Sequence, residues 1–259
     1  MLALVALAAE RSARNALPPP APPPAAVAPA EPLAPSQPVA THGATPDDPP
    51  ARTVSGRVSA SSDPDRPPAL GPAPAKVTIV VYNDFTCPVC SRSAAATRQI
   101  VEEWPGEIRL ELRWFAPPQH AHSENAAVAA LAAQRQGKFW EMHDVLFANS
   151  GQLDDAHLAD YARTVGLDPE RWSRDFADPA LHRRVQDETE EAPRLGAKAT
   201  PTFIINGTVV VGWASWAMFR SQVEHELQAA NTLLAQGVPL SDVLDIRTRL
   251  AEALKSGSS

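Results

Sequence analysis

Cysteine is scarce in this sequence: 259 residues contain two, at positions 87 and 90. That excludes the multi-bridge framework that holds small secreted scaffolds together. It also argues against zinc, which takes four ligands. There is no second cysteine pair, and the histidines at 42, 120, 122, 143, 157, 182 and 225 form no pair at ligand spacing. Haem attachment needs histidine directly after the second cysteine, where Ser91 stands. Long apolar runs are missing too. Residues 2–9 (LALVALAA) are apolar over eight positions, far short of the about 20 that cross a bilayer. They read as readily as a clipped signal h-region lacking its basic flank as they do a plain terminus, so residues 1–15 are assigned to a truncated signal or anchor remnant. Basic clusters are also absent: the net charge is −7 with Lys and Arg scattered, which excludes a nucleic-acid footprint.

What is present is unevenly spread. Of 27 prolines, 18 precede residue 75. Residues 16–75 are Ala/Pro-rich with few bulky apolar side chains, so they cannot offset their ordering entropy and are expected to be a disordered linker. Extended at about 3.1 Å per residue, this arm reaches up to roughly 180 Å and suits a tether. Residues 76–236 are long enough for one core, and 237–259 read as a C-terminal helical tail. No solenoid-length repeat occurs.

Residues 77–82 (VTIVVY) are a β-branched run suited to a central strand buried on both faces. After Cys87 the chain turns helical; Pro88 fits the first turn, and Pro105-Gly106 ends the helix. Residues 107–115 (EIRLELRWF) alternate with period two, a second strand. An Ala-rich helix from Ser123 and further helical stretches fill about 120–196. The chain then returns to strands: TPTFIINGTVVVGW holds two β-rich runs around Asn206-Gly207, a strong hairpin signal. A closing helix spans about 215–235.

The cysteines could form a structural crosslink, but so small a loop gains little from closure. Their placement argues for redox chemistry. Cys87 falls at a strand-to-helix junction, where free N–H groups and the helix dipole favour a thiolate. Cys90 sits one turn inside, poised to resolve a mixed disulfide.

With "TIVVYNDFTCPVC", "GKFWEMHDVLFAN" and "ATPTFIINGTVVVG" in this order, the chain resembles the thioredoxin superfamily over about 76–227, in its DsbA-like branch. The resemblance implies an α/β thioredoxin fold: a mixed sheet flanked by helices, with an inserted α-helical subdomain beside the active site. It implies catalytic Cys87 and Cys90, with Pro88, Val89, Thr200 and Pro201 lining the site. The Thr200–Pro201 bond is expected to be cis and to offer backbone groups to a substrate strand. One departure stands out: Val81 occupies the position where many relatives carry a buried acid. Asp84 reads as a turn or capping residue, and His120 and His122 as structural or solvated. His143 reads as packing, and Trp213 and Trp216 as core or edge packing.

The activity implied is thiol–disulfide exchange with exported proteins, in the manner of a DsbA-like oxidase. A reductase, or a peptide-binding module with a structural disulfide, are the alternatives. An isomerase is disfavoured because the Pro-rich arm is no dimerisation domain. The dithiol itself serves as cofactor, with no nicotinamide, flavin or metal. Expected partners are cysteine-containing exported substrates and a redox protein that recycles the dithiol. The expected place is the bacterial periplasm or envelope, with a membrane tether through the arm. Pro88-Val89 offers no cation, so the Cys87 pKa is expected to be depressed but not to the extreme low end.

Overall fold

The computed structural model describes residues 63–256; the expectations for residues 1–62 lie outside the described residues. Five strands form one mixed sheet in the order β1-β3-β2-β4-β5. They are β1 (Ala69–Leu70), β2 (Val77–Asn83), β3 (Ile108–Trp114), β4 (Thr202–Ile205) and β5 (Thr208–Val211). Strand β2 lies at the centre, parallel to β3 and antiparallel to β4, with Val81 opposite Leu112 on one side and Phe203 on the other. Its near-continuous burial explains its largely apolar composition. Strand β3 alternates buried and half-buried residues, as period two requires.

Order begins earlier than composition implies. Ala69 and Leu70 pair with Glu111 and Leu110 and are buried at the β3 edge. A Pro-rich stretch that cannot build a core of its own can still add a short strand to a finished sheet. The stretch expected to be linker up to residue 75 therefore includes a paired strand at Ala69–Leu70.

Helix α1 (Pro88–Glu103) leaves the β2 end and lays Cys90, Ala94, Thr97, Ile100 and Val101 against the sheet. Between β3 and β4 the chain builds the helical insertion: α2 (Ser123–Gln134), α3 (Phe139–Ala148), α4 (Asp155–Thr164), α5 (Pro169–Phe176), α6 (Pro179–Glu191) and a 3-10 turn (Ala192–Leu195). Asp154, Asp168 and Asp178 cap α4, α5 and α6 through their carboxylates. Helix α2 is the hub, with ten of its twelve residues buried. Its small alanines let neighbouring helices approach, and the Trp172 indole donates to the Ala129 carbonyl (3.3 Å).

The insertion is fastened to α1. Arg98 of α1 pairs with Asp144 of α3 and lies over the Trp140 ring, and the Ser91 hydroxyl donates to the Phe147 carbonyl (3.3 Å). Helices α7 (Trp216–Ala235) and α8 (Leu240–Ser256) close the chain. The latter is docked: Val243 is buried, and Arg247 holds the buried Glu226 of α7 at 2.9 and 3.0 Å.

Candidate active site

The site grows from the end of β2. Asn83 closes the strand, Asp84 turns the chain, and Cys87 takes extended backbone angles (φ −85°, ψ 117°) as the N-cap of α1. Its N–H donates to the Asp84 carbonyl and its own carbonyl accepts from Ser91, both at 3.1 Å. Pro88 follows in the first turn, where no N–H is required. Cys87 is half-buried, while Cys90 is fully buried one turn on, and both are free thiols.

Opposite them lies the turn before β4. The Thr200–Pro201 bond is cis, and as a thiol Cys87 donates to the Thr200 carbonyl across 3.4 Å. The structure thus brings Cys87, Cys90, Thr200 and Pro201 together, with Pro88 exposed and Val89 half-exposed on the rim.

The two sulfurs are driven apart in acidity. Cys87 is lowered to about 5, first by a hydrogen bond from the Cys90 thiol and then by the Thr200 side chain and the amides of Cys90 and Val89, against the opposing effect of partial burial. Cys90 is pushed well up, chiefly by burial, then by its bond to Cys87 and the charge there. The leading support for the thiolate is therefore the neighbouring thiol. The helix amides expected to dominate come after it.

Val81 is fully buried among apolar residues and brings no acid to the pair. Asp84 holds the turn as expected, and its buried side chain carries further bonds. Its buried Oδ1 accepts from the Thr86 amide (2.8 Å), the Thr86 hydroxyl (2.8 Å) and the Ser123 hydroxyl (2.7 Å). Its Oδ2 meets His120 Nδ1 at 2.6 Å. His120, read as structural or solvated, has a side chain 42% exposed that closes on Asp84, the residue whose carbonyl accepts from the Cys87 amide. The pairing spans 36 positions, so no local pattern announces it. His143 is a packing residue, ringed by Phe85, Phe139, Trp140 and Phe147, and burial lowers its pKa. Trp213 and Trp216 pack around Phe219 at the sheet end.

Comparisons with known proteins agree with this architecture. A family profile described as Thioredoxin matches residues 64–225. Among solved structures, a thioredoxin-like oxidoreductase from Silicibacter pomeroyi superimposes with a TM-score of 0.56 at 30% identity, covering 69% of this chain and 94% of that one. The thiol-disulfide exchange protein alpha-DsbA2 from Wolbachia pipientis has a TM-score of 0.55 at 23% identity (61% and 86% covered). BdbD from Bacillus subtilis has 0.54 at 22% (62% and 93%). Among curated proteins, a Na(+)/H(+) antiporter NhaA 1 from Salinispora arenicola is 39% identical over 146 residues, covering 56% of this chain and 22% of that protein. An NhaA from Herminiimonas arsenicoxydans is 36% identical over 145 residues (56% and 23%). The chain thus spans less than a quarter of the length of these curated relatives. The chain belongs to the thioredoxin family, and its fold carries a helical insertion.

Proposed function

We propose that this protein is a thiol–disulfide oxidoreductase acting through Cys87 and Cys90, and that it works as an oxidase of cysteine-containing exported proteins. The observation that carries the reading is the opposed pair: a half-exposed Cys87 whose thiolate is stabilised, over a fully buried Cys90 that holds its proton.

In the oxidising direction a substrate thiolate attacks Cys87 Sγ. The Cys87–Cys90 bond breaks, and Cys90 leaves as a thiolate and takes up a proton. A second substrate thiolate then attacks the substrate sulfur of the mixed disulfide and releases Cys87 as a thiolate. Two electrons have moved from the substrate dithiol to the enzyme, and the substrate has gained a disulfide. A leaving group that is a stable thiolate departs faster, so the low Cys87 pKa favours this last step.

The same thiolate could open a substrate disulfide, as in the reductase reading. That route requires Cys90 to attack as a thiolate, and oxidation requires it to leave as one, so its raised pKa slows both directions alike. The low Cys87 pKa, which stabilises the reduced enzyme, is what supports oxidation, with a disulfide-bearing redox partner restoring the Cys87–Cys90 bond.

Backbone groups at Thr200–Pro201 would receive the substrate as an added strand, with Pro88 and Val89 at the rim. An envelope location agrees with exported substrates. No helix among the described residues is long and apolar enough to cross a membrane. In the curated relatives a matching domain is part of proteins named antiporters, which supports work at a membrane surface through a tether.

The test is oxidative refolding of reduced ribonuclease, paired with insulin reduction, for wild type and Cys87→Ser. Wild type is expected to restore ribonuclease activity and Cys87→Ser to lose that capacity. Equal behaviour of the two proteins would leave only the non-catalytic module.

A further inference from the structure

The turn that faces the sulfurs is held from behind. Residues 199–202 carry the chain from the insertion into β4, and within them the Thr200 carbonyl accepts from the Cys87 thiol at 3.4 Å. At the end of this turn the Thr202 hydroxyl donates to the Ala199 carbonyl at 2.6 Å. An ordinary β-turn is closed by the N–H of its fourth residue. Here a side-chain hydroxyl makes the closing bond, a local contact to the backbone of the kind threonine favours. Thr202 is fully buried, whereas Ala199 is exposed.

The hydroxyl works from the face of the sheet away from the dithiol. Side chains alternate along β4. Phe203 and Ile205 join the core that holds Cys90, while Ile204 packs with Tyr82, Ala192 and Ala197 on the opposite face. Thr202 shares the Ile204 side and stands opposite Tyr82 of β2 in the sheet register. It therefore reaches Cys87 only through the main chain of Thr200. A second bond fixes the same turn from β5, where the Gly212 amide donates to the Pro201 carbonyl at 2.7 Å. The carbonyls of Ala199 and Pro201 are thus engaged, and the one between them is left to face the sulfur.

Resting on the reading of the chain as a thiol–disulfide oxidoreductase that takes its substrate as a strand at Thr200–Pro201, we propose that Thr202 is a positioning residue. Its hydroxyl fixes the turn so that the backbone offered to substrate and the Cys87 sulfur keep one geometry. A bound strand brings its thiolate to Cys87 Sγ only if strand and sulfur stay in register, and a misplacement of about 1 Å can cost on the order of a hundredfold in rate. Valine in place of Thr202 keeps the shape and removes the donor. Because Ala199 is exposed, water can serve its carbonyl in that variant, and no buried acceptor is stranded. The loss falls on the geometry of the turn.

The experiment follows reduction of the oxidised full chain by two dithiols, for wild type, Thr202→Val and Thr202→Ser, each with a melting curve. Reduced, unfolded ribonuclease has a backbone that can add as a strand; dithiothreitol has none. In both reactions two thiols of the reductant give up two electrons and two protons and become a disulfide. The Cys87–Cys90 bond breaks to a Cys87 thiolate and a Cys90 thiol, so one proton stays on Cys90 and the other goes to solvent. Thr202→Val is expected to lower the ribonuclease rate, relative to the dithiothreitol rate, by about three- to tenfold, the scale of one lost hydrogen bond. Thr202→Ser keeps the donor and is expected to hold the wild-type ratio.

A role in folding alone would lower the melting temperature and leave that ratio where it was. If folded Thr202→Val shows the wild-type ratio, the proposal is overturned. Thr202→Ala serves the same comparison should the valine protein not fold. Failure of both to fold also overturns the proposal, since the hydroxyl would then be a requirement of the fold. Absence of exchange with either dithiol in wild type would instead overturn the oxidoreductase reading.

Discussion

Two thiols one helical turn apart cannot both keep an ordinary acidity when one sits at a helix start and the other beneath it. The buried thiol has no water to stabilise its charge, so it stays protonated and becomes a donor. The half-exposed one receives that bond and ionises readily. Removing the donor should expose how much it contributes. Cys90→Ala is expected to raise the Cys87 pKa from about 5 by roughly one unit or more, the scale of a lost hydrogen bond to charge. Thiolate absorbance against pH reads it directly. An unchanged value would assign the support to the helix amides and Thr200 instead. The potential carries the same signature. Below the Cys87 pKa two protons accompany two electrons, a slope of about 59 mV per pH unit; above it one proton does, and the slope falls to about 30 mV.

At the scale of elements, the sequence displayed its regular parts through period and punctuation. The β-branched run of β2, the alternation of β3 and the Asn-Gly hairpin each rest on side chains within a few positions of one another. The position of Cys87 at a strand-to-helix junction followed from the same local signals. What escaped depends on contacts between distant segments. The two-residue β1 exists only because β3 offers an open edge, and the Asp84–His120 pair exists only once the insertion folds back. Docking of α8 is a third case. Gly207 adopts φ +88° in the hairpin turn, and a Cβ there would lie 2.6 Å from Thr248 Cα on α8. The glycine thus serves both turn and helix contact, and the hairpin motif reports the first alone. Gly207→Ala is expected to cost about 1–3 kcal/mol, from backbone strain plus displacement of α8. Chemical denaturation measures the loss, and amide exchange should rise along α8. Arg247→Ala should also free this helix. It leaves Glu226, 1% exposed in its side chain, without its ion pair, a loss of about 3–5 kcal/mol by the usual scale for one broken partner of a buried pair.

For the whole molecule, the cysteine chemistry and the fold are two sides of one thermodynamic cycle. Unfolded, Cys87 is an ordinary thiol with a pKa of about 8.5; folded and reduced, it ionises at about 5. A group whose folded pKa lies below its unfolded value stabilises the fold above the unfolded pKa, and that contribution disappears as pH falls through the folded one. Cys90 acts in the opposite sense, because its folded pKa is raised. Its effect begins only once the unfolded thiol starts to ionise, so stability gained by the reduced protein on raising the pH should level off and then decline above about 8.5. The disulfide form has neither thiol and should show neither trend. Between about pH 5 and 8, the reduced protein should therefore gain stability relative to the oxidised protein as pH rises. This window follows from the Cys87 value, with Cys90 still protonated in both states. Paired melting curves of the two redox forms across that range check it, with Cys87→Ser as the control in which the trend is absent. A gap that stays constant with pH would mean that the thiolate is held no better in the fold than in the unfolded chain. The oxidising direction proposed for the enzyme would then lose its physical basis, since a fold that favours its own dithiol is what drives electrons out of a substrate.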